Sequence, residues 1–176
     1  MGQALQKPAL RPMLPQDIPV LAEIFAASIE ELTEDDYTES QREAWASAVD
    51  DEDEFSARLT GQLTLVATLN HSPVGFSSLK GNDHVDMLFV HPSAAHQGVA
   101  TLLCDAMEKL AAARGASHLT VDASDTAHGF FLKRGYVDQR RNSVIVNDEW
   151  LANTTMKKTF AAPPDGTGAG TTSTGN

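Results

Sequence analysis

VDMLFVHPSAAHQGVATLL, residues 85–103, decides how the chain is read. Residues 85–90 are apolar except for Asp86 and predict a strand; His91-Pro92 predicts a turn. Ser93 to Gly98 forms a small-residue hinge, and the apolar spacing from Val99 onward predicts an amphipathic helix. At a strand-to-helix junction of this kind, Gln97-Gly98-Val99-Ala100-Thr101 presents several backbone N–H groups together. The first N–H groups of a helix have no partner within it, and the helix dipole favours an anion there. Gly98 lets a ligand approach the backbone with no side chain in the way. A diphosphate-bearing ligand suits such a site, although a strand–turn–helix with no ligand has the same pattern. The stretch contains neither GxGxxG nor GxxxxGK[ST].

Upstream, Ala9 to Met13 predicts a first strand. Asp17 is expected to cap a helix with Ile18, Leu21, Ile24, Phe25, Ile29 and Leu32 on one side. A second helix is expected from Ser40, with a Ser40-Glu43 capping box and Trp45 and Val49 inward. A short helical piece follows around Phe55 to Leu59. Leu63–Leu69 and Val74–Leu79 predict a hairpin across Asn70-His71-Ser72-Pro73. Downstream, the helix from Gly98 to Arg114 stops at Gly115. His118–Val121 returns as a strand parallel to the central one, followed by a short helix over Thr126–Lys133. Tyr136–Val146 and Trp150–Lys158 predict a closing antiparallel pair. Ala161 to Asn176 is nearly all Ala, Pro, Gly, Thr and Ser, and is expected to be a disordered tail.

The 176 residues carry a net charge of -11. Between Glu30 and Glu54 lie 12 acidic residues and one basic residue, Arg42, so the whole excess sits in that segment. Nucleic acid is an unsuitable partner for such a chain. The segment reads either as an attractor for a cationic amine or basic peptide, or as a solvated helical surface. No apolar run reaches the roughly 20 residues that span a bilayer, so no membrane partner is expected. Gly2 does not complete a myristoylation pattern, because residue 6 is Gln. Cys104, the single cysteine, is expected to be a buried structural thiol, in keeping with a cytoplasmic setting.

With these residues placed, the chain from about Leu10 to Lys158 resembles the GNAT (Gcn5-related N-acetyltransferase) family. The features that carry this are VDMLFVHPSAAHQGVATLL followed by ASDTAHGFFLKRGYVDQRR. The last part, with NDEWLANTTMKK, looks like the YafP-like bacterial branch. The family's acyl-CoA loop reads Q/R-x-x-G-x-G/A; its positions fall here on Ala95, Gly98 and Ala100, with His96 and Gln97 as substitute phosphate donors for the missing Gln/Arg. The resemblance implies acetyl-CoA as cofactor. It implies that the backbone of Leu88, Phe89 and Val90 pairs with the pantetheine arm. It also implies that the N–H groups of Gln97, Gly98, Val99, Ala100 and Thr101 receive the diphosphate. Ser124, three residues before Ala127, takes the place of a second CoA contact. Phe131 stands where the family often has a tyrosine; it can pack beside the thioester arm but cannot protonate a thiolate. A thiol of pKa about 8.5 is a tolerable leaving group without that help.

Amine acetylation by direct attack needs orientation and a polarised thioester rather than a protein nucleophile. Asp86 is the first choice for a base or an amine-orienting carboxylate, with a structural carboxylate bonded to backbone or to an arginine as the other reading. Strict alternation puts His84, Asp86 and Leu88 on one face and Val85, Met87 and Phe89 on the other. His84 is a second base or an ordinary strand-edge residue. In the helical region that GNAT proteins use to shape the acceptor site, Glu30, Tyr37 and Trp45 are the substrate-binding choices, with core packing as the other role for Trp45. Arg140 and Arg141 either bind an acidic group or flank the sheet. No HExxH occurs, and no metal is expected.

The expectation is an α/β fold: a GNAT-like mixed, mostly antiparallel central sheet flanked by helices, with a parallel βαβ cofactor unit. It occupies residues 1–160 as one domain, monomeric or homodimeric. The expected activity is transfer from acetyl-CoA to a primary amine of a small, cationic molecule in a ternary complex. A peptide or protein N-acetyltransferase and a non-catalytic acyl-CoA-binding or protein-interaction module are the alternatives.

Overall fold

The computed structural model describes residues 6–161. The expected tail beyond Ala161 and the Gly2 reading lie outside the described residues. Seven strands form one sheet in the order β1-β2-β3-β4-β5-β7-β6. They are β1 (Ala9–Pro12), β2 (Leu63–Leu69), β3 (Ser72–Lys80), β4 (His84–Val90), β5 (His118–Ser124), β6 (Val137–Val146) and β7 (Glu149–Thr159). Every pairing is antiparallel except β4 with β5. The mixed, mostly antiparallel sheet expected from the sequence is therefore present. The hairpins β2–β3 and β6–β7 turn on Asn70-His71 and Asn147-Asp148, all four residues at positive φ, as tight two-residue turns require. The helices are α1 (Ile18–Leu32), α2 (Glu39–Ala46), α3 (Glu52–Thr60), α4 (Val99–Ala113) and α5 (Asp125–Lys133).

Two apolar layers hold the sheet. Leu21, Ile24, Phe25 and Ile29 of α1 pack with Phe55 and Leu59 of α3 against Val66, Phe76 and Met87. On the opposite face, Cys104, Met107 and Ala111 of α4 pack with Val85, Val121, Phe131, Tyr136 and Met156. Cys104 is buried with its Sγ 3.8 Å from the Tyr136 hydroxyl, and burial pushes the thiol pKa up. This is an inert structural position.

Several sequence expectations shift. β5 continues to Ser124 rather than ending at Val121, because Ala123 extends the buried row of Leu119 and Val121. The second helix starts one residue before Ser40. Its cap is Thr38, whose Oγ1 accepts from Gln41 N–H at 3.2 Å while Gln41 Oε1 accepts from Thr38 N–H at 2.9 Å. This Thr-x-x-Gln pair does the work expected of Ser40 and Glu43. Asp17 gives α1 no side-chain cap. Its carboxylate instead accepts from Leu14 N–H at 2.7 Å and from both terminal nitrogens of Arg11, at 2.7 and 2.9 Å.

The largest departure is in β4. Met87 pairs with Ser78 and Val85 with Leu79, so Asp86 is an extra residue, a β-bulge. Strict alternation fails there. Val85 faces α4 and Met87 faces α1, although the sequence pattern put them on one side. The bulge sends Asp86, Met87 and Phe89 to the wall of one cavity.

The Arg11–Asp17 pair joins β1 to the entry of α1. The Arg11 hydrogen bonds, opposed by burial, hold the Asp17 carboxyl below the usual carboxylate range. A depressed folded-state pKa means that the unfolded chain takes up the proton first, so this stabilisation is complete above the ordinary Asp range and is lost as pH falls. Asp17→Asn is expected to cost about 1–3 kcal/mol at neutral pH in urea unfolding. The gap to wild type should close under acid; a gap independent of pH contradicts the assignment.

Candidate active site

β4 and β5 pair through only two residue couples, His84 with Thr120 and Val85 with Val121. Beyond Val85 the strands diverge, because β5 turns its other edge to β7 along its whole length while β4 stays with β3. Two cavities flank the opening and meet at Trp45, Phe89 and Ser124, which line both.

The larger, a groove of about 680 Å³, runs between Leu88–Val90 of β4 and Ala127 and Phe130 of α5. The N-terminus of α4, Gly98 to Thr101, is in its wall. The first bond into α4 is Leu102 N–H donating to Gly98 O at 3.0 Å, so the N–H groups ahead of it have no partner in the helix. Gly98 caps the helix at φ +81°, and nothing lies within 4 Å of where a Cβ would stand. His96 and Lys133 add cationic capacity to the same wall. The Gln97 side chain is spent on the turn: its amide donates to Ser93 O at 3.1 Å. Ser124 Oγ caps α5 by accepting from Ala127 N–H at 3.1 Å, which leaves its hydroxyl free to donate at the junction.

Phe131 does not line this groove. It is 2% exposed and lies in the core with Tyr136, ring centroids 5.0 Å apart, while its neighbour Phe130 takes the groove position. Adjacent residues on a helix point about 100° apart, and the α4 side of α5 is the one that holds the core. Phe130, not Phe131, therefore lines the groove.

The smaller cavity, about 370 Å³, has an apolar side and a polar side. Tyr37 and Trp45 meet edge-on at 5.4 Å, and Phe25 and Phe89 at 4.6 Å. The Tyr37 hydroxyl donates to Ala152 O at 2.8 Å and accepts from Asp125 N–H at 2.9 Å, which pins the α1–α2 connection to β7 and α5. Glu30 is exposed and lies outside the wall of either cavity; the helical face that turns inward carries Phe25 and Ser28 instead. Arg141 pairs with Asp125, and Arg140 bonds Asn142, so both arginines flank the sheet.

The polar side holds His84, Asp86, Arg58 and Asp122. Arg58 donates to Asp86 through Nε at 2.7 Å and Nη2 at 3.0 Å, and Gln62 donates to it at 2.9 Å. Burial pushes the Asp86 carboxyl up, but these bonds and the Arg58 charge outweigh it and hold it below the usual range. This is the geometry of a structural carboxylate rather than of a base. Asp122 escaped the sequence reading because the strand was closed at Val121; on the continued strand, Thr120, Asp122 and Ser124 share a face. Arg58, Gln62, Phe130 and Lys133 were also missed. Only Lys133 carried a signal, one helical turn after Phe130. Among the described residues no group of three or more His, Cys, Asp or Glu is placed to hold a metal ion.

The acetyltransferase (GNAT) domain family matches residues 33–160. The chain belongs to the GNAT family. That membership makes it an acetyl-CoA-dependent acetyltransferase. It is 33% identical over 148 residues to the uncharacterized N-acetyltransferase YafP of Escherichia coli K12, covering 84% of this chain and 93% of that one. A GCN5-related N-acetyltransferase from Rhodopseudomonas palustris is 64% identical and superposes with a TM-score of 0.87, over 90% of this chain and all of that one. The PaiA N-acetyltransferase of Thermoplasma acidophilum, solved with coenzyme A, is 16% identical with a TM-score of 0.70, over 88% and 99% of the two chains, and shares the fold. No helix among the described residues of this GNAT chain is long and apolar enough to cross a membrane.

Arg58→Leu removes the guanidinium that opposes the desolvation of Asp86. The Asp86 carboxyl is then expected to titrate above its wild-type value in a carbon-detected NMR titration. An unchanged titration would mean that Arg58 does not set the charge state of Asp86.

Proposed function

We propose that this GNAT enzyme transfers the acetyl group of acetyl-CoA to a primary amine of a small, cationic molecule by direct attack. The groove is the donor site, the smaller cavity the acceptor site, and His84 the base. The observation that carries this reading is the junction of the two cavities at Trp45, Phe89 and Ser124, with His84, Asp122 and the Asp86–Arg58 pair in the acceptor wall. The groove fits the donor. It offers unpartnered N–H groups at α4, a glycine with open space where a Cβ would stand, the side chains of Lys133 and His96, and a β4 edge free of β5 beyond Val85. Acetyl-CoA supplies the acyl electrophile and the thiol leaving group. The free N–H groups of β4 between Met87 and Val90 are the donors available to an acyl oxygen.

His84 is oriented for proton removal by its own neighbour. The Thr120 hydroxyl has one proton, which it donates to Asp83 O at 3.2 Å. With that proton on Asp83 O, it meets His84 Nδ1, 2.8 Å away, by accepting. Neutral His84 then carries its proton on Nδ1 and its lone pair on Nε2. That Nε2 is 3.9 Å from Asp122 Oδ2, close enough for an ammonium between them to give a proton to the imidazole while the carboxylate holds the charge. Asp86, fixed by Arg58 and Gln62, shapes this end of the cavity. The 12 acidic residues from Glu30 to Glu54 are all exposed on the α1–α3 side and raise the local concentration of a cation.

Calorimetric titration with acetyl-CoA tests the donor site; micromolar or tighter binding is expected, and no binding at millimolar ligand overturns the reading. For the base, His84→Gln is expected to lower kcat by about 10²–10⁴-fold with acetyl-CoA affinity unchanged. Thr120→Val is expected to lose part of that rate and to displace the ascending limb of the pH–rate profile, with Thr120→Ser restoring both. Full turnover in His84→Gln removes His84 as base.

A further inference from the structure

We infer that the acceptor is a monoamine whose single ammonium is carried on an apolar, ring-bearing body, not a polyamine or a lysyl peptide. The inference rests on the proposed acceptor role of the smaller cavity and deepens it.

The charge balance of that cavity is the first argument. Its formally charged or titrating wall groups are Arg58, His84, Asp86 and Asp122, together with the Tyr37 phenol, which burial keeps neutral. Arg58 and Asp86 neutralise each other through two hydrogen bonds. What remains is one carboxylate, Asp122, beside His84 Nε2. Thr155 donates to the other Asp122 oxygen at 2.6 Å and Asn142 donates to Thr155 at 2.8 Å, so Asp122 is held with Oδ2 toward His84. A second cationic group would enter with no second anion to meet it, and desolvating an unpaired charge is costly.

The second argument is the opposite wall. Phe25, Trp45 and Phe89 line it from α1, α2 and β4, and Val144, Val146 and Leu151 close it from the β6–β7 hairpin. The Tyr37 hydroxyl has both its donor and its acceptor capacity used by Ala152 and Asp125, so that residue too presents a ring rather than a polar tip. Trp45 lies between two other rings, 5.4 Å from Tyr37 and 6.2 Å from Phe89, and is fixed edge-on to each. A volume of about 370 Å³ is at the small end for ligand sites, which run roughly 300–1,000 Å³. It admits a compact ring with its amine at the Asp122–His84 end. The exposed acidic belt steers cations to the entrance without discriminating among them; selection falls to the cavity.

The test is a panel of acceptors at saturating acetyl-CoA: 2-phenylethylamine, 1,4-diaminobutane, spermidine and a lysyl tripeptide. 2-Phenylethylamine is expected to exceed each of the others by at least about tenfold in kcat/KM, the scale of a small apolar pocket's discrimination. Val144→Asp places a carboxylate in the apolar wall and is expected to reduce the 2-phenylethylamine to 1,4-diaminobutane ratio by about tenfold. A ratio compares two acceptors on one protein, so partial loss of fold does not move it. Preferred acetylation of a diamine, spermidine or the peptide overturns this inference and leaves the acetyltransferase reading in place. An unchanged ratio in Val144→Asp also overturns it. Acetyl-CoA binding with no acceptor turned over overturns the proposed function and this inference with it.

Discussion

Two residue couples hold the halves of the sheet together. β4 and β5 share only the pairs His84–Thr120 and Val85–Val121, and both strands are fully committed on their other edges. Parallel pairing is the weaker kind per residue, and here it is abandoned as soon as the chain can do so. The cost is a row of unpaired backbone groups on β4. The return is a cleft lined by N–H and C=O groups at fixed spacing, next to the unpartnered first turn of α4. The apolar layers make the opening tolerable, because α1 and α3 pack on one face of the β1–β4 half while α4, on the opposite face, bridges β3 and β4 to β5.

The bulge at Asp86 is the second constraint, and it acts on side chains rather than on backbone. With strict alternation, Asp86 and Met87 would lie on opposite faces. The extra residue turns both into the smaller cavity and still lets Val85 reach α4. A carboxylate delivered that way to a partly buried wall needs a counter-charge. Arg58 from α3 supplies it in bidentate form, the geometry that suits guanidinium and carboxylate best. The residue that sequence reasoning favoured as base is thus the one that the tertiary structure neutralises. His84, two residues earlier, keeps an open nitrogen because Thr120 uses up the other.

The α1–α2 connection closes the smaller cavity through long-range polar contacts. Tyr37 bonds Ala152 and Asp125, Gln41 donates to Trp150 O at 2.7 Å, and Thr126 donates to Asp36 at 2.7 Å. These join residues about 90 to 115 positions apart. They fix Trp45 over the junction more firmly than the short helix α2 could alone, since helices of that length are marginal by themselves.

What the sequence determined by itself was local. Apolar alternation and helical periodicity located the seven strands and the main helices, and Gly98 at the end of a small-residue hinge located the anion-ready helix start, because those signals depend on neighbours within one or two turns. The family resemblance, resting on the same stretch, held. Tertiary structure decided which carboxylate is free. Arg58 and Asp86 are 28 positions apart, and Thr155 and Asp122 are 33 apart; no periodicity connects them. It also decided that Phe130, not Phe131, faces the groove and that Glu30 stays outside, because each depends on which side of a helix the core occupies. The bulge lay beyond sequence reading for the same reason. An extra residue in β4 has meaning only against the register of β3, and register is a property of two strands, not one.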